Sequence, residues 1–326
     1  MSKQRVFLTG ATGGMGFASL KEMLKDADKQ DIVILARDSE KNRKILDPYR
    51  NTAGLEIVWG DLNDYEVVLK CVRDCDLILH IAAFVSPAAD YHPKQAMKVN
   101  YGSTRNLINA IYALGQQDKT RLVYIGTVAE TGDRMPPIHW GRVGDPIKPS
   151  MFDYYAVSKV AAERLVIESG LKYWVSLRQT GIIGKAMSQI NDAIMFHNCF
   201  DNVLEYCSDR DSARAMKNLC AFFYDGTLDE SFWDHIYNIG GGESCRVDTY
   251  TMFRKLYGEI GLTNLDYILS PKKQATVNFH GQYYLDSDKL ENYLHFRHDS
   301  MQYYYDCYLE MLGGLRTVSR MLCKLP

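Results

Sequence analysis

Two residue types four positions apart are the best candidates for chemistry in this chain, in the run Tyr155-Ala156-Val157-Ser158-Lys159. On a helix such a pair shares one face. A phenol ionises near pH ~10, and a neighbouring cation favours its phenolate. Tyr155 would then exchange a proton with a carbinol oxygen near neutral pH. Tyr154 has Ser158 at the same spacing, lacks the ammonium and is the poorer candidate. Thr127 ends an apolar run, Val123-Tyr124-Ile125-Gly126-Thr127, where a hydroxyl can bond a substrate oxygen or cap a turn. A tyrosine–lysine pair alone is common on ordinary helices. Its weight comes from the way the chain begins.

The chain opens with Arg5-Val6-Phe7-Leu8-Thr9-Gly10-Ala11-Thr12-Gly13-Gly14-Met15-Gly16, a short apolar strand running into a glycine-rich turn and a helix. Gly10 allows the tight turn, Gly13 lets backbone approach a pyrophosphate, and Gly16 lets helix and strand pack closely. With Thr12, Gly14 and Met15 these residues offer N–H groups and a helix N-terminus to phosphate. The alternative is a glycine-rich turn with no ligand, and the rest of the chain counts against it. A dinucleotide there gives Lys159 a second task, holding the nicotinamide ribose hydroxyls.

Other positions follow from the same frame. The second strand ends Ile34-Leu35-Ala36-Arg37-Asp38. Sites for NAD usually place an acid at the strand's end, whereas Arg37 suits a 2′-phosphate, so NADP is expected over NAD. Lys41 and Arg43 would add charge, Asp38 two residues on complicates the choice, and a solvated basic helix start is the plainer alternative. Asp61, in Gly60-Asp61-Leu62, can accept from the adenine amino group while Leu62 packs on the ring. The competing role for Asp61 is to cap the next helix. Small residues Ala82 and Ala83 after the fourth strand let backbone approach the cofactor, and His80 reads as a packed strand residue. Asn100, inside a long helix, either steadies the catalytic end through backbone bonds or marks a local irregularity.

These residues need a scaffold of alternating strands and helices. Strands are expected at Val6–Thr9, Asp31–Ala36, Leu55–Trp59, Asp76–Ile81, Arg121–Ile125 and Trp174–Leu177, and a short one at Ile236–Ile239. Helices are expected over 16–25, 65–73, 94–114 and 154–169. This pattern predicts an α/β fold, a doubly wound parallel sheet of Rossmann type. Residues 1–184 and 208–245 would form that domain, and 185–207 with 246–326 a smaller C-terminal substrate-binding lobe. Ser188–Glu205 reads as helical. Met195, Phe196, Phe200, Tyr206 and a tyrosine-rich tail (Tyr283, Tyr284, Tyr293, Tyr303, Tyr304, Tyr305 and Tyr308) suggest an apolar pocket, with aromatic core packing as the stronger alternative for the tail.

Composition narrows the function further. The chain has 326 residues, is 46% hydrophobic and carries a formal net charge of −2. That balance gives no electrostatic case for nucleic acid or an anionic membrane. No apolar run reaches the roughly 18–20 residues of a membrane span, and no leader is expected before the first strand. The 8 cysteines are scattered without a Cys-x-x-Cys pair. They read as reduced thiols of a cytoplasmic protein, and no metal site is expected.

Taken together, Thr9 to Gly16, Gly60-Asp61-Leu62, His80 to Ala83, Asn100, Thr127, Tyr155 with Lys159, and Asn238-Ile239-Gly240-Gly241 occur in the order seen in extended short-chain dehydrogenases/reductases. The chain resembles that superfamily, the epimerase/dehydratase-like group, over residues 4–245. The resemblance implies a Thr127–Tyr155–Lys159 set and a nicotinamide lying past Gln179 and Ile182. It also implies a homodimer formed through the two long helices. Dehydratases of the group carry Thr-Asp-Glu where this chain has Thr127-Val128-Ala129, and many epimerases carry an asparagine near Gln179-Thr180-Gly181. The sequence therefore points to an NADP-preferring oxidoreductase, with NAD possible, acting between a carbonyl and a secondary alcohol on a fairly apolar small molecule. A sugar-nucleotide epimerase with retained NAD is the first rival. A non-catalytic regulatory protein that binds NAD(P) is the second.

Overall fold

A computed structural model describes residues 2–134, 136–188, 196–262, 270–275, 279–314, 317 and 319. Seven strands form one parallel sheet. They are β1 (Gln4–Thr9), β2 (Gln30–Ala36), β3 (Leu55–Trp59), β4 (Leu77–His80), β5 (Arg121–Thr127), β6 (Trp174–Gln179) and β7 (His235–Ile239). Their spatial order is β7-β6-β5-β4-β1-β2-β3, so strand order reverses between β1 and β4. Ligands of such sheets bind beyond the carboxyl ends of the strands at that reversal.

Alternation along each strand explains the layering. Side chains two apart point to the same face. Val6 and Leu8 with Ile32 and Ile34 enter one core, and Phe7 with Val33 and Leu35 enters the other. Both faces are covered, so the strands are almost continuously apolar. Burying each such side chain contributes about 1.5–3 kcal/mol.

Helix α1 (Gly14–Met23) lies on the first face against α6 (Asp209–Tyr224), through Leu20, Met23, Met216 and Leu219, and α2 (Glu40–Leu46) adds Leu46 to the same core. On the second face lie α3 (Tyr65–Val72), α4 (Gly102–Ala113) and α5 (Tyr154–Ile167). Before α4 the chain runs through Pro93–Ala96 and a π turn at Met97–Tyr101, so the long helix is interrupted at Asn100.

The sheet, its parallel sense and its order with respect to the helices agree with the sequence expectations. The region after Gly184 differs. Val203–Glu205 is a strand paired antiparallel with Arg246–Asp248, not the end of a helix. The extended chain is fixed there by the buried Glu205, which binds Arg246 at 2.8 Å. Of the expected helix, 189–195, Met195 included, lies outside the described residues. The tyrosine-rich tail is mostly core. Tyr284, Tyr304 and Tyr305 are buried with Leu204, Tyr206, Met252 and Phe253 in a third cluster. The helix Asp288–Leu294 instead sends Leu290 and Leu294 into the α1/α6 core.

Candidate active site

The phosphate end of the groove is built from backbone. Gly10 has φ +74°, and a Cβ there would sit 2.8 Å from the Ala82 amide nitrogen. A Cβ on Gly16 would sit 2.2 Å from the Gly10 carbonyl oxygen. Both positions exclude any side chain, because the opposing atoms are backbone. Thr9 locks the neighbouring strands: its hydroxyl accepts from the Ala82 N–H at 3.0 Å and meets His80 Nδ1 at 3.0 Å.

Gly13 caps α1 with no side-chain bond, whereas Asp64, Asp153 and Ser208 cap α3, α5 and α6 with theirs. The first N–H groups of α1 are thus left for an outside acceptor. Gly14 faces open space. These features fit a pyrophosphate. Thr12 is half-buried beside them. The Met15 side chain is buried in the α1 core, which leaves its backbone N–H as what it has to offer. Ala83 is half-buried in the loop after β4.

At the ribose end, β2 stops at Ala36 and Arg37 is exposed. Arg43 is not an added positive charge. It forks onto Asp38 at 2.6 and 2.7 Å and lies 4.7 Å from the Trp59 ring centre. The pair holds the Asp38 carboxyl below its ordinary range. Asp61 is not the helix cap, since Asp64 caps α3. Asp61 Oδ1 instead accepts from both the backbone and side-chain N–H of Asn63, at 2.8 Å each. Leu62 is half-buried and packs on the second core.

The other end is built from side chains. Thr127 ends β5 and caps the turn Val128–Thr131; its hydroxyl accepts from the Ala129 N–H at 3.2 Å. Burial pushes the Tyr155 phenol well up, and the neighbouring Thr127 hydroxyl lowers it by less. Lys159 is buried one turn along α5 from Tyr155. Its ammonium donates to the Ile125 carbonyl at 2.7 Å and lies 4.0 Å from the Tyr124 ring centre. Burial rather than the Lys159 ammonium sets the direction at Tyr155. Desolvation brings Lys159 itself down to about 8, opposed by Glu130 and Glu163.

Asn100 does both of the things considered for it. It sits in the π turn, and its amide ties α5 to the loop after β4. Oδ1 accepts from Phe84 N–H at 2.7 Å, and Nδ2 donates to Phe84 O at 3.1 Å and Ser158 Oγ at 2.8 Å. His80 is a packed strand residue, bonded to Thr9 and, at 3.1 Å, to Thr104. Burial pulls its imidazole down to about 3. Gln179 pairs in register with Thr127 across β5 and β6. Its Nε2 donates to the Thr180 carbonyl at 3.2 Å, while its buried Oε1 has no partner. An orphaned acceptor there fits a carboxamide N–H. Ile182 is half-buried just beyond.

Three buried charges lie beneath this end: Glu130, Glu163 and Arg178. The resemblance places Arg178 only in the stretch passing the nicotinamide, and the two glutamates carry no expected role, although local patterns could have flagged them: Thr127-x-x-Glu130 as a capping box and Lys159 with Glu163 at helical spacing.

The fold and the cradle define a dinucleotide-binding α/β protein. A family model of the NAD dependent epimerase/dehydratase family matches residues 6–206, and the chain belongs to that family. It is 30% identical over 115 residues to UDP-N-acetylglucosamine 4,6-dehydratase (inverting) of Campylobacter jejuni, covering 35% of this chain and 34% of that one. It is 29% identical over 197 residues to 3 beta-hydroxysteroid dehydrogenase/Delta 5→4-isomerase of Vaccinia virus, covering 55% and 52%. The matches thus span between a third and about half of these relatives' lengths. A dTDP-glucose 4,6-dehydratase from Streptomyces venezuelae, solved with NAD, shares the fold with a TM-score of 0.72 at 19% identity, over 95% of this chain and 98% of that one. Among the described residues no helix is long and apolar enough to cross a membrane, and no side-chain group is arranged to hold a metal ion.

Proposed function

We propose that the protein is an NAD(P)-linked oxidoreductase that interconverts a carbonyl and a secondary alcohol on a fairly apolar small molecule. The observation that carries this reading is the Thr127–Tyr155 hydroxyl pair above the buried Lys159. The bound cofactor supplies or takes a hydride at its nicotinamide ring. The chain supplies the proton. Thr127 and Tyr155 hold the substrate oxygen, and Tyr155 gives its proton to that oxygen during reduction or takes it back during oxidation. Lys159 stabilises the phenolate that results and holds the ribose hydroxyls.

Gly10, Thr12, Gly13, Gly14, Gly16 and the Met15 backbone would cradle the phosphates. Asp61, Leu62, Ala82, Ala83, Gln179 and Ile182 would line the rest of the groove, with Asn100 bracing Tyr155 through Ser158. NADP is the preferred cofactor in this reading, because Arg37 stands free of the Arg43–Asp38 pair. Val128 and Ala129 are buried and apolar where elimination of water needs acids, which supports redox chemistry over dehydration. Residues 185–207 and 246–326 would close over the substrate. Exposed apolar side chains on both long helices (Tyr112, Tyr154, Val157 and Ile167) support a homodimer. A cytoplasmic location suits the buried thiols Cys71, Cys75, Cys207, Cys220 and Cys245, which form no disulfide.

The test begins with the protein as purified. Denaturation releases any held nucleotide, and fresh protein is titrated with NADPH and NADH. An exchangeable site that prefers NADPH supports the reductase. Stoichiometric, non-exchanging NAD would instead support an epimerase, which returns hydride to the same molecule. Once a ketone is found, Tyr155→Phe should lower kcat at least ~100-fold, the scale of general-acid catalysis, and spare cofactor binding. Full activity in that variant overturns the assignment.

A further inference from the structure

Beneath the hydroxyl pair, four ionisable side chains are closed off from water: Glu130 (0% exposed), Glu163 (3%), Arg178 (4%) and Lys159 (2%). Glu163 is fully engaged. It accepts from Arg178 Nε at 3.1 Å, Arg178 Nη2 at 2.6 Å and Ser176 Oγ at 2.6 Å. Glu130 is not. Its Oε1 accepts from the Thr127 N–H at 3.0 Å, closing the capping box, while its Oε2 has no hydrogen bond and lies 3.4 Å from Arg178 Nε. Gly126 leaves the room for this: a Cβ there would meet Ser176 Oγ at 3.0 Å and Glu130 Oε1 at 3.2 Å.

Charge must balance in such a pocket, since an unpaired buried ion is costly. Glu163 and Arg178 cancel. What remains is Glu130 and Lys159, and a charged Lys159 requires an ionised Glu130. The other ionisable groups around Lys159 are Tyr124 under its ammonium, His80 on β4 and Tyr155 one turn back on α5. None of these supplies a negative charge while its phenol or imidazole is neutral. Burial and the neighbouring Glu163 push the Glu130 carboxyl well up, Arg178 and Lys159 oppose this, and Glu130 and Glu163 in turn hold Lys159 up against burial, so the charges of Glu130 and Lys159 depend on each other.

We propose that Glu130 is a positioning residue that fixes Thr127 through its N–H and keeps Lys159 protonated. This rests on the reading of Thr127, Tyr155 and Lys159 given above, and it extends that reading to a carboxylate below the site. Through one side chain, the orientation of the oxygen-binding hydroxyl and the charge of the lysine become linked.

The experiment needs neither substrate nor cofactor, so its failure is separate from a failure of the oxidoreductase reading. The protein is labelled with ε-13C-lysine and titrated by NMR. Lys159 lies against the Tyr124 ring, which shifts its signal away from the exposed lysines, and Lys159→Met assigns it. Glu130→Gln keeps an acceptor for the Thr127 N–H but removes the charge. The Lys159 midpoint should fall by about one pH unit or more, a tenfold change in its ionisation constant. Glu130→Asp keeps the charge and should hold the midpoint close to wild type. Arg178→Gln carries the test with opposite sign and should raise it, and serves if the first variant does not fold. An unchanged midpoint in folded Glu130→Gln, or an equal fall in Glu130→Asp, overturns the proposal.

Discussion

The two ends of the groove are held by opposite means. At the phosphate end, hardly any side chain acts. Gly10, Gly13 and Gly16 bring β1, α1 and the loop after β4 together, and no side chain caps the N–H groups of α1, which would do the binding in the proposed reading. At the chemical end, backbone sets only the frame, and buried side chains do everything else. Thr127, Tyr155 and Lys159 stand on a layer of charge made by Glu130, Glu163 and Arg178. The first end tolerates no added atom. The second tolerates no unbalanced charge.

The largest effect should come from adding atoms at the first end. Gly16→Val drives a side chain into the Gly10 carbonyl, 2.2 Å from the first added carbon, and neither backbone can yield. Such overpacking costs about 1–3 kcal/mol when neighbours can move, and here they cannot. Soluble yield should collapse, or nucleotide binding should vanish in a thermal-shift assay. Gly14→Ala is the control, because nothing lies within 4 Å of its Cβ. Its melting temperature should stay near wild type. A folded Gly16→Val that still binds NADPH would break the contrast between the ends.

A middle-sized effect should come from His80, which sits between them. It joins Thr9 on β1 to Thr104 on α4 through both ring nitrogens. Its folded value of about 3 lies below the ordinary one. The unfolded chain therefore binds the extra proton between about pH 6.5 and 3. Stability from this group is complete above that window and is lost as pH falls through it, at up to ~1.4 kcal/mol per pH unit. His80→Gln should cost about 1–3 kcal/mol at neutral pH, from the broken bonds, and should flatten the acid slope by one proton. Urea unfolding at several pH values reads both. An unchanged slope would mean that another group controls acid stability, and that the centre is not braced by a neutral imidazole.

This contrast also explains what was legible in the sequence. A backbone-built site shows in residue type, because only glycine serves at Gly10 and Gly16 and the spacing is local. The parallel sheet showed for a similar reason: strands covered on both faces are runs such as Ile32-Val33-Ile34-Leu35. Tyr155 and Lys159 showed through helical spacing. The charge layer did not, because Glu130, Glu163 and Arg178 come from a turn, a helix and a strand, and only the fold brings them together. The cap alternative for Asp61 and the free charge expected of Arg43 turned on single bonds: Asp64 takes the cap, and Asp38 lies close enough in sequence to engage Arg43. Val203–Glu205 failed as a helix because its extended form depends on a partner strand some 40 residues on, at Arg246–Asp248.

The smallest effect should lie at the ribose end, where side chains act again but in water. β2 ends at Ala36 with no acid to take a ribose 2′-hydroxyl, and Arg43 already holds Asp38. In the proposed reading, discrimination between the two cofactors falls to Arg37, which is exposed. An exposed cation facing a phosphate acts through a high dielectric and is screened by salt. Arg37→Ala should weaken NADPH binding by about tenfold and leave NADH within about twofold, the scale of one charge-assisted bond. The loss should shrink as salt rises. Arg43→Ala should act in the same direction but more weakly, since it releases the Asp38 carboxylate to repel a 2′-phosphate. Fluorescence titration of both cofactors at two ionic strengths measures all of this. A preference for NADPH that survives in Arg37→Ala would place the discriminating charge elsewhere. A preference indifferent to salt would mean that this end, like the chemical one, is closed to water.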